Sequence, residues 1–260
     1  MEKGVILDNN FINEVIFRID FSTIFKLSGN DESAADQFKE NILTEFPKFQ
    51  VISHDKINLD IDINSGQRKI SEKGDLVWIF KSNDYKKEVA LTANELVLDY
   101  KKEAYCGFNK FLSDVLLLIN ALSGYGSFDL KFLGLRYINQ FDDDEINKNL
   151  VKYFNSDLLN LEVLKNLENN DENLVQIFTK LNFRKENYLL TLQYGLFNPK
   201  FPDYEVNKEF ILDFDCVIKD IDSIDDIKSN LIKMNKLIFS KFEYSISSEL
   251  VRLMKNKEIK

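Results

Sequence analysis

Hydrophobic and polar positions alternate along several stretches of this chain. Val15, Phe17, Ile19 and Phe21 interleave with Glu14, Arg18 and Asp20, the period-two signature of a half-buried strand. Ile57, Leu59, Ile61 and Ile63 interleave even more cleanly with Asn58, Asp60, Asp62 and Asn64. Further strands are predicted over Leu76–Lys81, Glu88–Thr92, Glu95–Tyr100, Asp129–Phe141, Leu174–Phe183, Tyr188–Tyr194 and Glu209–Ile218. Between Ile63 and Leu76 the residues are mostly polar, and Ser65–Asp75 reads as a loop. Ala93-Asn94 reads as a tight turn in which Asn tolerates a left-handed backbone, and Arg184–Asn187 joins another strand pair.

Helical spacing marks other segments. Over Cys106–Ser123, Phe108, Phe111, Leu112, Val115, Leu116, Ile119 and Leu122 define one apolar face, and Gly124 follows as a stop. A helix over Ala34–Phe46 has Ser33-Ala-Ala-Asp36 as a variant capping box, and Pro47 ends it. Helices are also predicted over Asp157–Leu167, capped by Ser156, and over Ile224–Phe242 and Ser248–Lys255. The acidic run Asp142–Glu145 reads as a turn.

This order implies an α+β fold made of two topologically similar halves, residues 1–127 and 128–260. Each is a mostly antiparallel sheet with one long helix packed on it, and the two together can form one continuous domain. The 260 residues suffice for either arrangement. No apolar run approaches the roughly 18 residues of a membrane helix, and the first residues lack the pattern of a signal peptide. A cytoplasmic location without a membrane partner is the expectation. With 34 basic against 43 acidic residues and a net charge of −9, binding to phosphate backbones is not expected.

The chemistry-bearing residues are few. His54 is the only histidine, which excludes HNH nucleases, multi-histidine zinc sites and HExxH proteases. Cys106 and Cys216 lie in apolar patterns far from one another and are expected to be buried free thiols, not zinc ligands or a disulfide. Gly124-Tyr-Gly126 follows a helix instead of opening one, so it is not a phosphate-binding loop. No cofactor or metal is implied. Asp60 with Asp62, and Asp213 with Asp215, each share a strand face and form the alternative candidate set for a divalent metal.

The segment Gly134-Leu-Arg-Tyr-Ile-Asn139 stands out, because Arg136 sits mid-strand among Leu133, Leu135 and Ile138. A guanidinium cannot shed its proton, so it needs a carboxylate or several carbonyls there. Arg136, Tyr137 and Asn139 are the candidate ligand-binding residues. The structural alternative is a buried ion pair that ties the sheet to a helix or to the other half. Phe132-Leu-Gly-Leu-Arg-Tyr-Ile-Asn-Gln140 resembles the signature of a sporadically distributed bacterial family of uncharacterised proteins. The similarity extends to the Tyr105–Ser123 helix, Trp78-x-Phe80-x-Ser82, Leu212-Asp-Phe-Asp215 and Ile238–Ser247. Many of those proteins carry a histidine in the long C-terminal helix, where this chain has Asn235. The resemblance implies a bacterial origin and no particular activity. Patchy distribution associates such proteins with accessory loci, phage-defence and toxin–antitoxin systems included.

Three functional readings follow. The first is a non-catalytic protein-interaction or regulatory component, partnered by another protein or by its own copy. The second is a metal-dependent enzyme acting on nucleotides or nucleic acid through Asp60, Asp62, Asp213 and Asp215. The third is a ligand-binding module with a pocket between the halves.

Overall fold

The computed structural model describes residues 10–54, 57–61, 68–72, 75–159, 176–202 and 209–255. Among them are eleven strands: β1 (Ile12–Phe21), β2 (Lys48–His54), β3 (Ile57–Ile61), β4 (Arg68–Glu72), β5 (Asp75–Lys81), β6 (Lys87–Leu91), β7 (Glu95–Lys101), β8 (Leu130–Phe141), β9 (Ile177–Lys185), β10 (Tyr188–Phe197) and β11 (Glu209–Ile221). The helices are α1 (Asp36–Ile42), α2 (Phe108–Ser123), α3 (Asp144–Lys148), α4 (Leu150–Tyr153), α5 (Asp226–Ser245) and α6 (Ser248–Lys255). The fold is α+β, with one large antiparallel sheet of nine strands in the order β2-β5-β6-β7-β1-β8-β11-β10-β9. β3 and β4 form a separate antiparallel pair.

By its internal contacts the chain divides into two units. One comprises Ile16–Gly134 with Lys219–Lys228, the other Met1–Val15, Leu135–Ile218 and Ser229–Lys260. The divisions fall inside β1, between Val15 and Ile16, and inside β8, between Gly134 and Leu135.

In the first of these units, α1 and α2 pack together, and Phe17, Phe21, Phe38, Trp78, Phe80, Tyr100 and Phe111 are fully buried. The polar ends of the aromatics are satisfied locally. The Trp78 indole donates to the Glu32 carbonyl at 2.9 Å, and the Tyr125 hydroxyl donates to the Ala34 carbonyl at 3.0 Å. The predicted Ala34–Phe46 helix is shorter than its apolar spacing implies. A 3-10 turn over Glu32–Ala35 precedes α1, and Asp31, not Ser33, caps it by accepting from the Ser33 amide.

In the other unit, Phe141, Phe154 and Phe210 cluster, Phe141 meeting Phe154 edge to face and the Phe154 and Phe210 rings lying 4.2 Å apart between centroids. Helix α5 lies on the face of the sheet that carries Tyr137 and Tyr188. The Tyr137 hydroxyl donates to Asn235 at 2.9 Å, and the Tyr188 hydroxyl donates to Asn230 at 2.6 Å. Gly195 permits the close approach of β9 to β10. Its φ is 152°, and a Cβ there would lie 1.9 Å from the Ile177 carbonyl oxygen.

Several expectations are corrected. Lys48–His54 forms a strand that the sequence pattern did not single out, and Arg68–Glu72, expected within a loop, is β4. Helix α2 starts at Phe108 behind Gly107, whose φ is 113°, so Cys106 precedes the helix and is exposed instead of buried. Cys216 is buried, and burial followed by the nearby Asp215 pushes its thiol up to about 12. Asn94 is not left-handed; the non-glycine residues with positive φ among those described are Tyr85 and Glu186. Asp143 in the acidic turn caps α3 by accepting from the amides of Glu145 and Ile146. Most of the predicted Asp157–Leu167 helix lies outside the described residues.

Candidate functional site

The Gly134–Asn139 strand places its candidate residues on two faces, as period two requires. Tyr137 and Asn139 are buried on the side of α5. Tyr137 is held by Asn235, the position where the resemblance anticipates a histidine, and the Asn139 amide donates to the Leu212 carbonyl at 3.1 Å. Both are committed to interior hydrogen bonds that hold β8 to α5 and β11.

Arg136 faces the opposite side. It forms a two-pronged pair with Asp213 of β11, Nε to Oδ1 at 2.8 Å and a terminal nitrogen to Oδ2 at 2.6 Å. The pair therefore joins neighbouring strands; it does not tie the sheet to a helix or to the other half. It is also less enclosed than its apolar sequence neighbours imply. The Arg136 side chain is 43% exposed and that of Asp213 12%. The guanidinium pKa is raised, first by the hydrogen bonds to Asp213 and against desolvation, with further help from Asp213, Asp215 and Glu14 as charges. On the same pair of strands Gln140 donates to Glu209.

This pairing bears on the metal-site alternative. Asp213 directs both carboxylate oxygens at Arg136, which removes it as a ready cation ligand. Among the described residues no group of three histidines, cysteines or acids gathers to hold a metal ion. Asp60 lies on β3 in register with Lys69 of β4, its side chain outside the description, and Asp62 lies outside the described residues altogether. The same holds for the His54 side chain.

A second cluster centres on Asp114 of α2, 2% exposed. Its carboxylate accepts from Lys87 of β6 at 2.8 Å, from Lys110 one turn earlier at 2.7 Å, and from the Tyr100 hydroxyl of β7. Glu45 adds a second acid, 3.1 Å from Lys110 and 3.5 Å from Lys87. Burial pushes the Asp114 pKa up, but the bonds from Lys110, Lys87 and Tyr100 together outweigh it and leave the group below its ordinary value. The Tyr100 phenol is driven far up, by burial first and by its bond to Asp114 second. Through these bonds the cluster forms a polar clasp between α2 and the β6–β7 hairpin. The i,i+4 spacing of Lys110 and Asp114 was visible in sequence; the tyrosine and Lys87 came only with the fold.

The third feature is the sheet margin at β9. Ile-Phe-Thr-Lys-Leu-Asn-Phe-Arg-Lys over 177–185 contains three basic residues and no acid. Thr179, Lys180, Asn182, Arg184 and Lys185 are exposed. β9 ends the strand order, and its described pairing is with β10 alone. Lys241 of α5 lies over the Phe183 ring, 4.2 Å from its centroid.

Compared with protein-family models the chain matches none, and no curated protein matches it. No helix among the described residues is long and apolar enough to cross a membrane.

Proposed function

We propose that this protein is a non-catalytic interaction component of a bacterial accessory system, working in the cytoplasm through contact with another protein. One observation carries the reading. Among the described residues the two main charged clusters are paired internally, while a strand whose charged residues are all basic stands at the margin of the sheet. Arg136 is paired by Asp213, and Asp114 by two lysines and a tyrosine. Paired groups of this kind hold elements together, and among the described residues no group of three histidines, cysteines or acids gathers as a cation seat. In the same reading, residues 1–127 and 128–260 descend from one repeated unit. Support comes from strand order: a meander β5-β6-β7 ends beside β1, and a meander β9-β10-β11 ends beside β8, each followed by a long helix.

The test is affinity capture of the full chain from its host, followed by reconstitution and light scattering. The expected result is a defined complex with one protein partner, or a homodimer. Turnover of nucleotides or nucleic acid by the purified chain with magnesium or manganese, abolished by Asp213→Asn, would support the carboxylate-based enzyme instead.

A further inference from the structure

We infer that β9 is a docking edge for an acidic, extended peptide segment of a protein partner, which adds to the sheet as a further strand. The inference rests on the interaction reading above and specifies its surface and the chemistry of the partner.

The β9–β10 hairpin fixes which backbone groups of β9 face outward. Its loop is Glu186-Asn187, and Lys185 pairs with Tyr188 across it. In a two-residue hairpin this closing pair exchanges both backbone hydrogen bonds, and bonded and non-bonded pairs then alternate. Phe183, Leu181, Thr179 and Ile177 accordingly bond to β10. Phe178, Lys180, Asn182 and Arg184 point their amides and carbonyls away from β10, toward the outer margin. Among the described residues no strand takes up that margin.

Side chains follow the same alternation. Lys180, Asn182 and Arg184 project to one face, where the Thr191 hydroxyl meets Asn182 at 2.9 Å. Leu181 and Phe183 project to the other, and Lys241 covers Phe183. An incoming antiparallel strand would place one residue opposite Arg184 and the residue four further on opposite Lys180. Acids at those two positions, a polar residue between them, and apolar residues at the intervening positions complement the edge. The pattern is acid-apolar-polar-apolar-acid.

Other occupants fit less well. A second copy joined antiparallel through β9 about Asn182 would set Lys180 opposite Arg184 twice, and like charges directly opposed are destabilising. A nucleic-acid phosphate offers acceptors only, so it would answer the β9 amides and leave the outward carbonyls without donors. The opposite margin, β2, carries Lys48 as its one basic side chain within the described part of the strand. The positive edge belongs to a chain of net charge −9, so it also singles out the place where an acidic partner is not repelled.

The experiment measures fluorescence anisotropy of a labelled peptide, Ser-Gly-Glu-Val-Asn-Val-Glu-Gly-Ser, with the full chain. We expect saturable binding that weakens at least about tenfold in the Lys180→Glu/Arg184→Glu variant. Asn182→Pro should abolish it while circular dichroism stays native, because proline is tolerated at an edge position whose amide faces outward. Lys233→Glu/Lys236→Glu, which removes two exposed lysines of α5, should leave binding unchanged. No binding up to about 1 mM, equal binding by the β9 variants, or displacement by a mixed-sequence oligonucleotide at equal concentration would each overturn the proposal. A partner captured from the host equally by wild type and by Lys180→Glu/Arg184→Glu would overturn the β9 assignment and leave the interaction reading standing. Absence of any captured partner together with no peptide binding would remove both.

Discussion

Replacing Asp114 with alanine is expected to be among the most damaging single changes in the chain. Three donors lose their acceptor at once. The Tyr100 hydroxyl belongs to a side chain with no solvent exposure, so its orphaning costs about 1–3 kcal/mol. Lys87, 15% exposed, keeps Glu45 at 3.5 Å and the Tyr100 ring at 5.1 Å; its lost charge-assisted bond adds about 1.5–3 kcal/mol. Lys110, 45% exposed, is largely rescued by water and adds under about 1 kcal/mol. Relief of the carboxylate's own desolvation offsets part of this, and the net lies near the lower end of the roughly 3–5 kcal/mol seen when one partner of a buried pair is removed. For a chain of this size that is a fall in Tm of about 6–12 °C. Tyr100→Phe leaves Asp114 its two lysines and should cost only about 1 kcal/mol. The double variant should fall short of the sum of the singles by more than about 0.5 kcal/mol, since both act on one network. The Asp114 pKa is lowered in the folded state, so its contribution is present above the unfolded value and is lost as pH falls through the folded one. Urea midpoints of wild type and Asp114→Ala should therefore converge below about pH 4. A loss under about 1 kcal/mol, or midpoints that stay parallel into acid, would refute the clasp.

Other outcomes are expected from the same structure. Arg136→Ala should cost about 2 kcal/mol and Asp213→Ala about 1 kcal/mol, because the first strands a nearly buried carboxylate and the second leaves a half-solvated guanidinium. Chemical denaturation of both decides the order. Gly195→Ala should destabilise by roughly 2–4 kcal/mol, since the new methyl group collides with the Ile177 carbonyl, and the loss should appear as early amide exchange in β9. A thiol reagent should label Cys106 in the native protein at once and Cys216 only on unfolding, because burial holds the latter's thiol up at about 12. At high pH, unfolding should be promoted by Tyr100. Its folded pKa is raised, so the stabilisation is full below the unfolded phenol value of about 10 and erodes as pH rises above it; Tyr100→Phe should flatten the alkaline limb.

What could be read from sequence was whatever produced a strong period. β1, β5, β7 and β8 lie within a few residues of their predicted positions, because buried side chains alternate strictly in β1, β5 and β7 and from Leu135 onward in β8. β2 gives no strand period, because Lys-Phe-Gln-Val-Ile-Ser-His mixes polarity on both faces, as befits a strand at a sheet margin. In α2 the helical period puts Phe108 and Leu116 on the apolar face, yet both are only half-buried, whereas Leu118, Ala121 and Asp114 lie inside. A carboxylate on an inward face reads as an exception until its cations arrive from other strands. The need of Arg136 for a carboxylate is legible in sequence, and Asp213 meets it. Its exposure is not legible, because sequence neighbours along a strand describe both faces, while the setting of a side chain is made by one.

The two tyrosine–asparagine bonds of α5 also govern how that helix can move. Asn230 and Asn235 are separated by about 140° around the helix axis and by roughly 7.5 Å along it. They reach strands β10 and β8, which flank β11, while Phe242 meets Phe214 of β11 between them. The helix is thus pegged on both sides of the strand it straddles. Apolar contacts alone would let it roll, since grease fits grease at many angles. A shift of one residue turns the helix by about 100° and pulls both pegs at once, so the pair works as a keyway that admits the helix in a single phase.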